Sequence, residues 1–513
     1  MALPPGVSER DFNRALERFR NIVGDEWVFS SDEDVALYRD AYSIFWGEPE
    51  ERMASAAVAP HDTEQVQAVV REANEFGIPL YPISTGRNLA YGGAAPAYSG
   101  SAVLDLKRMN RVLEVNEDNA YALVEPGVSY FDLYNYIEER NLNVWIDPPD
   151  PGWGSVIGNA LDGGGGWTAY PYRDHFGAHC GMEVVLGDGD IVRTGMGALP
   201  NGKTWQQNKW GYGPWVDGLF RQGNMGVVTK MGFWLMPKPE ALISGTARVP
   251  NDAGATGLMN VLNLLENQGI VNGSTTLNGA PGGGWSLSLP IYGPANVIRA
   301  QLDYARTKFE EIQGATFTED LFFPLPLSDE NRQRVESGAA GGGVRNPAYF
   351  GVPNLSTFSM LGRSPFQPNP AGGHIGFSPI IPRSGEELVK FRDWYQANAS
   401  DASGGENLGI IGPVFMTNWE RSLVGLIMFP ISKDAEHNRK IRDAFVRWVE
   451  LAAAEGWAEY RAPTVYQDMI ADTYSFNDNA LTRMREKIKD AVDPNGIISA
   501  GRYGVWPKHL RDA

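Results

Sequence analysis

At 513 residues the chain is too long for one ordinary hydrophobic core, so two domains, interleaved in sequence, are the expectation. With 43% hydrophobic, 11% aromatic and 21% charged residues, it has the composition of a globular protein with large cores. A net charge of -18 and a pI near 4.9 argue against nucleic acids and anionic membranes as partners, because both demand a cationic surface.

The opening residues, MALPPGVSERDFNRALERFRNIVG, carry neither a basic leader nor an apolar run. No later stretch reaches the roughly 18 apolar residues of a membrane span. A cytoplasmic protein is the expectation. Apolar positions at helical spacing predict a helix over about 8–23. ASAAVAP reads as a buried strand, and DTEQVQAVVREANEFGIP as a helix capped by Asp62 or Thr63 and stopped by Gly77. Apolar LYPI leads into a glycine-rich turn. Strands and a helix follow through residue 140, then GMEVVLGDGDIVRTG as a hairpin and NMGVVTKMGFWLMP as a strand. From residue 241 the text changes to strands such as SLSLPIY, helices such as GLMNVLNLLENQ and loops rich in glycine and proline. This α+β rhythm predicts a first domain over 1–240, a second over 241–461, and a return of 462–513 to the first. Cys180 stands alone, which excludes an intramolecular disulfide and a CxxC site and predicts a buried structural thiol.

Two segments carry chemistry. In YPISTGRNLAYGG (81–93), Pro82, Ser84, Thr85, Gly86, Arg87, Asn88, Leu89 and Gly92 surround a turn whose backbone amides are unobstructed. Such a concavity suits phosphate oxygens, and pyrophosphate is the natural guest. The spacing is neither GxGxxG nor GK[ST], so a nicotinamide-type Rossmann site and a P-loop both fail on residues. A second loop, DPPDPGWGSVIGNALDGGGGWTAY, sets Ser155, Gly158 and Asn159 before a run of glycines at 163–166. Together the two loops can hold an extended dinucleotide; as punctuation alone, they are ordinary turns.

PISTGRNLAYGGAAP, PPDPGWGSVIGNA, YRDHFGAHCGMEVVLGDGDIVRTGMGALP, GGHIGFSPI, AEYRAP and DPNGIISAGRYGVWP, in this order between about 55 and 508, resemble the vanillyl-alcohol oxidase / p-cresol methylhydroxylase flavoproteins, especially their bacterial eugenol-oxidase branch. The resemblance implies a p-cresol methylhydroxylase-type fold, with an FAD-binding domain built from both chain ends and a substrate-binding cap between them. It implies oxidation of para-substituted phenols, including 4-hydroxybenzyl and vanillyl alcohols and eugenol, by hydride transfer to flavin N5 through a quinone methide. Dimers or octamers are common among large relatives.

The same resemblance places covalent FAD on His374 of GGHIGFSP, with Gly372 and Gly373 admitting the flavin edge. Tyr91, Tyr460 and Arg461 match a phenol-oxygen clamp, whose alternative reading has Tyr91 packed on its loop and Arg461 paired with an acid. Asp150 matches a carboxylate near the reacting carbon, suited to general base work; as a residue between prolines it is also an ordinary turn aspartate. FAD is expected between the Gly86 and Gly158 loops. Asn88, Ser155 and Asn159 would bond its diphosphate or ribityl part, Gly226 to Val228 would lie toward the adenine, and Arg502 would place charge near the flavin. Gly165, Trp167, Tyr170 and Ser378 are the expected pocket residues.

Three departures from the family pattern stand out. The loop at 163–172 is two residues longer, which leaves open whether Trp167 or Tyr170 faces the flavin. Gly165 stands where a valine is usual, which enlarges the cavity for methoxylated or longer-chain phenols. YSIFWGEPEERMASAAV lacks a histidine that relatives often carry. Reduction of O2 to hydrogen peroxide is the leading reading. A dehydrogenase feeding a cytochrome, and a binding protein without chemistry, are the alternatives.

Overall fold

The first helix, Glu9–Val23, begins where the Ser8 side chain accepts the Asp11 amide and ends at Gly24. Its buried positions, Phe12, Ala15, Leu16, Phe19 and Val23, recur at the three-to-four spacing of one helical face. That face packs with helix Thr63–Phe76, which is capped by Asp62 and stopped by Gly77 at φ 65°. The computed structural model describes residues 3–280, 283–336, 346–356, 373–401, 408–417, 419 and 421–511.

The two helices cover a four-stranded sheet in the order Val28–Phe29, Ala57–Val58, Ala102–Asp105, Leu80–Ile83. Its last two pairings are parallel. A second, five-stranded antiparallel sheet runs Val112–Asn116, Tyr121–Val124, Gly226–Trp234, His179–Leu186, Ile191–Arg193. Its last two strands form the hairpin expected at the Gly-Asp-Gly turn, with Gly189 at φ 83°. Cys180 lies buried in this sheet, and burial pushes its thiol up to about 11.

Every described strand from Ala241 to Glu459 joins a third, nine-stranded antiparallel sheet. Helices Ala253–Asn267, Ala295–Glu310, Gly385–Asp401 and Ala435–Ala454 pack with it around a single large core that includes Leu258, Leu287, Phe377, Phe391 and Trp448. No helix among the described residues is long and apolar enough to cross a membrane.

After Glu459 the chain returns to the first two sheets. Leu80 donates its amide to Ile497, and Ser499 donates to Leu80. One buried ion pair secures this return. Lys489, fully buried, donates to Asp493 Oδ2 at 2.6 Å and to the carbonyls of Asn224 and Ile498 at 2.5 and 2.6 Å. Asp493 in turn accepts the amides of Ile497 and Ile498, and the Asn224 side chain donates to the carbonyls of Ser499 and Val505. Replacing Lys489 with methionine strands a buried carboxylate and orphans two carbonyls. Lys489→Met is therefore expected to lose on the order of 3–5 kcal/mol, read as a lower melting temperature.

Candidate active site

Strand Leu80–Ile83 delivers the chain into the first glycine-rich loop, where Gly86 lies at φ 67° and the amides of Tyr91 and Gly93 both donate to the Asn88 carbonyl. In the second loop, Ser155 caps the short helix Val156–Leu161, accepting the Gly158 amide at 3.0 Å. A Cβ at Gly158 would stand 2.2 Å from Ser84 Oγ, so glycine is what lets the two loops touch. Between them opens a cleft of about 1030 Å³ of atom-free space, counting its mouth. Pro82, Ser84, Thr85, Gly86, Arg87, Asn88, Ser155, Gly158, Asn159, Gly226, Val228 and Arg502 all line it. Leu89, Gly92 and His374 are not part of its lining.

One end of this cleft is organised by Asp162, a residue the sequence reading passed over. Its buried carboxylate accepts Arg461 Nε at 2.8 Å, Arg502 Nη2 at 2.7 Å, the Tyr503 hydroxyl at 2.7 Å and Asn88 Nδ2 at 2.8 Å. Burial alone would raise this carboxyl, but the two guanidinium groups hold it below the usual aspartate range. Arg461 completes a ring of bonds by donating Nη2 to Asn88 Oδ1 at 2.7 Å, while Nη1 has no hydrogen-bond partner among the described residues.

The same guanidinium lies 4.0 Å from the Tyr91 ring centroid. The Tyr91 hydroxyl is 3.4 Å from Ser378 Oγ and faces Gly376, where a Cβ would come within 2.6 Å of it. Tyr460 packs edge-on to Trp419 at 5.0 Å. Burial raises both tyrosines above the usual phenol range, so each remains an O–H donor at neutral pH. Beneath them, Glu459 accepts the amides of Ser378 and Arg461, and burial pushes its carboxyl up to about 8. Tyr91, Tyr460, Arg461 and Ser378 thus form one cluster. Arg461 is stacked on Tyr91 and paired with an acid, Asp162.

His374 sits on strand Gly373–Phe377, on the same face as Gly376 because side chains alternate along a strand. The Tyr42 ring lies 5.4 Å from the imidazole and fills the space beside Gly373, whose Cβ would meet it at 2.5 Å. Gly372 falls outside the described residues.

The loop at 163–172 is held from behind by a buried chain of polar groups. Asp147 accepts the amides of Trp167 and Thr168 and pairs with His175, whose other ring nitrogen meets Tyr130 and Asn159. A Cβ at Gly164 would meet the Asn159 amide and one at Gly166 the Asp147 carboxylate, at 2.2 and 1.8 Å. Gly165 pairs with Asp174 in an isolated bridge, Trp167 packs edge-on to Tyr349 at 5.2 Å, and the Tyr170 amide donates to Asn272. Asp150 Oδ2 accepts Asn346 and Ser356, each at 2.8 Å.

Known proteins match this architecture along its whole length. Residues 54–195 match an FAD-binding domain. The flavoprotein subunit of 4-cresol dehydrogenase [hydroxylating] from Pseudomonas putida is 33% identical over 98% of this chain and 97% of its own. The chain belongs to the p-cresol methylhydroxylase / vanillyl-alcohol oxidase family of flavoproteins. Among solved structures, 4-ethylphenol oxidase from Gulosibacter chungangensis, in complex with isoeugenol, superposes with a TM-score of 0.86 at 34% identity, covering 99% of this chain and 100% of that one. Substrate-bound p-cresol methylhydroxylase gives 0.84 at 31%, with 99% of both chains covered.

As a member of this family, the protein is an FAD-dependent oxidoreductase with an α+β fold of the p-cresol methylhydroxylase type. Its cleft fits that cofactor. The loops bring bare backbone to its walls, and one carboxylate, Asp162, set against three guanidinium groups, Arg87, Arg461 and Arg502, leaves a formal charge of +2 for an anionic group. Only distance in the sequence hid Asp162, whose arginine partners lie 299 and 340 positions away.

A carboxylate held low stabilises the fold above its unfolded pKa and ceases to do so as pH falls through its folded value. Asp162→Asn is therefore expected to lower the melting temperature at pH 7, by the equivalent of about 3–5 kcal/mol. That gap should close as pH falls well below 3.8, the ordinary aspartate value.

Proposed function

We propose that this flavoprotein oxidises para-substituted phenols, 4-hydroxybenzyl and vanillyl alcohols and 4-alkyl- or 4-allylphenols such as eugenol among them, and passes the electrons to O2 to give hydrogen peroxide. The observation that carries the reading is the cluster of Arg461, Tyr91 and Tyr460. A phenol ionises near pH 10, so holding it as phenolate at neutral pH needs on the order of 4 kcal/mol of differential stabilisation. Charge-assisted hydrogen bonds of about 1.5–3 kcal/mol each can supply that. Arg461 offers Nη1, and the two tyrosines stay protonated to donate.

FAD, held between the Gly86 and Gly158 loops, would supply the acceptor for a hydride from the para side-chain carbon. The clamp keeps the ring oxygen anionic, so its electrons assist the departure and leave a quinone methide. Asp150 takes the proton from a benzylic hydroxyl or directs water onto that carbon. His374, on the face that carries Gly376 toward Tyr91, is the site of covalent attachment. The division into a flavin-binding body, 1–240 with 462–513, and a cap, 241–461, belongs to the same reading. A second reading, transfer to a protein acceptor, is favoured by one relative that is by name the flavoprotein subunit of a dehydrogenase.

Anaerobic addition of 4-hydroxybenzyl alcohol, vanillyl alcohol or eugenol is expected to bleach the flavin absorbance, and air to restore it rapidly with release of peroxide. Reduction that persists in air would establish the second reading, and no reduction by any of the three would reject both. Tyr460→Phe should lower kcat/KM about 10- to 150-fold, equivalent to one lost charge-assisted hydrogen bond. On a denaturing gel the native protein should fluoresce as a flavoprotein band. His374→Ala should retain FAD in the native state but lose that band.

A further inference from the structure

Asp150 does not stand free in its loop. Its Oδ2 accepts Asn346 Nδ2 and Ser356 Oγ, both at 2.8 Å. The orientation of the Asn346 amide is fixed by its other half, because Oδ1 accepts the Ala348 amide at 2.9 Å and Asn354 Nδ2 at 2.8 Å, two groups that can only donate. Asn354 is fixed in turn, its Oδ1 accepting the Ser356 amide at 2.9 Å. The network therefore has one consistent assignment, with an amide N–H and a hydroxyl converging on a single carboxylate oxygen.

The segment that carries these donors is held on both sides. Ala348, Tyr349 and Phe350 are buried, and the Tyr292 hydroxyl donates to the Tyr349 carbonyl at 2.7 Å. On the other side, the Gly152 amide donates to the Asn354 carbonyl at 2.8 Å. A Cβ at Gly152 would meet Pro353 at 2.5 Å, so glycine two residues beyond Asp150 lets the loop close on this segment.

We infer that Asn346 and Ser356 are positioning residues that fix the plane of the Asp150 carboxylate for proton handling, a role that rests on the reading of Asp150 given above. A reacting group has to be held within about 0.5 Å and 10–20° of its productive geometry. A carboxylate free to rotate about its Cβ–Cγ bond does not meet that requirement. Two donors on one oxygen stop the rotation, so both residues act through Asp150.

The test compares Asn346→Ala, Ser356→Ala and the conservative Ser356→Thr in the full-length, FAD-loaded protein, with flavin content and melting temperature measured alongside turnover of 4-hydroxybenzyl alcohol. Each alanine variant is expected to lower kcat by on the order of 10- to 100-fold with KM within about twofold, because misplacing a group by about 1 Å costs on that scale. Ser356→Thr, which keeps the hydroxyl, should recover most of the loss. In an Asp150→Asn background the alanine substitutions should cost nothing further, since residues that act through one another are not additive.

A full additional loss in that background would overturn the inference, as would an unchanged kcat in both alanine variants while Asp150→Asn is slow. If Asp150→Asn itself turns over normally, the failure lies with the reading of Asp150, and the inference falls with it. Should Asn346→Ala not fold, the Ser356 pair of variants decides the question alone, because alanine and threonine differ there in the hydroxyl that the inference needs.

Discussion

Two guanidinium groups in one cleft repel each other unless an anion lies between them, and Asp162 is that anion. Opposite charges a few ångströms apart and shielded from water attract far more strongly than they would at the surface. The four donors on Asp162 fill the acceptor capacity of a carboxylate, so the group cannot turn without breaking several bonds at once. Arg461 inherits that rigidity. It reaches the Tyr91 ring from the far side of the same ion pair, so the tyrosine cluster and the cleft share one electrostatic support.

Elements that announce themselves by local chemistry were legible in the sequence. Helix Thr63–Phe76 has an aspartate cap and a glycine stop, and the two glycine-rich loops line the cleft they were expected to form. Helix Ala295–Glu310 was not anticipated, although Ile298, Leu302, Ala305 and Phe309 follow helical spacing. Its cap position is Pro294, which offers no side-chain bond to mark a beginning. Strands of two residues, such as Val28–Phe29 and Val144–Trp145, are too short to display any period. Ile411–Met416 and Ser422–Ile431 carry glycine and proline within them, which in sequence reads as loop.

The site divides along the same line. Tyr91, Tyr460 and Arg461 were recognisable through the family pattern, and the structure brings them together. Their partners were not recognisable. Asp162, Glu459, Asp147 and His175 gain their meaning only from groups distant in sequence, and a buried acid looks like any other acid in a string of letters. The run of glycines at 163–166 shows the difference well. Composition marks it as a turn, but Gly164 and Gly166 are small because the side chains of Asn159 and Asp147 occupy the space beside them.

The return of the chain through Lys489 and Asp493 has a consequence for how the protein is made. Arg502 and Ser499 form part of the same wall as Ser84 and Gly158, which precede them by more than three hundred positions. The core beneath helices Glu9–Val23 and Thr63–Phe76 likewise takes in Ile497 and Ile498. The cleft, and the hydrophobic clusters that take in Ile497, Ile498 and Val505, are therefore complete only after the last residues have left the ribosome.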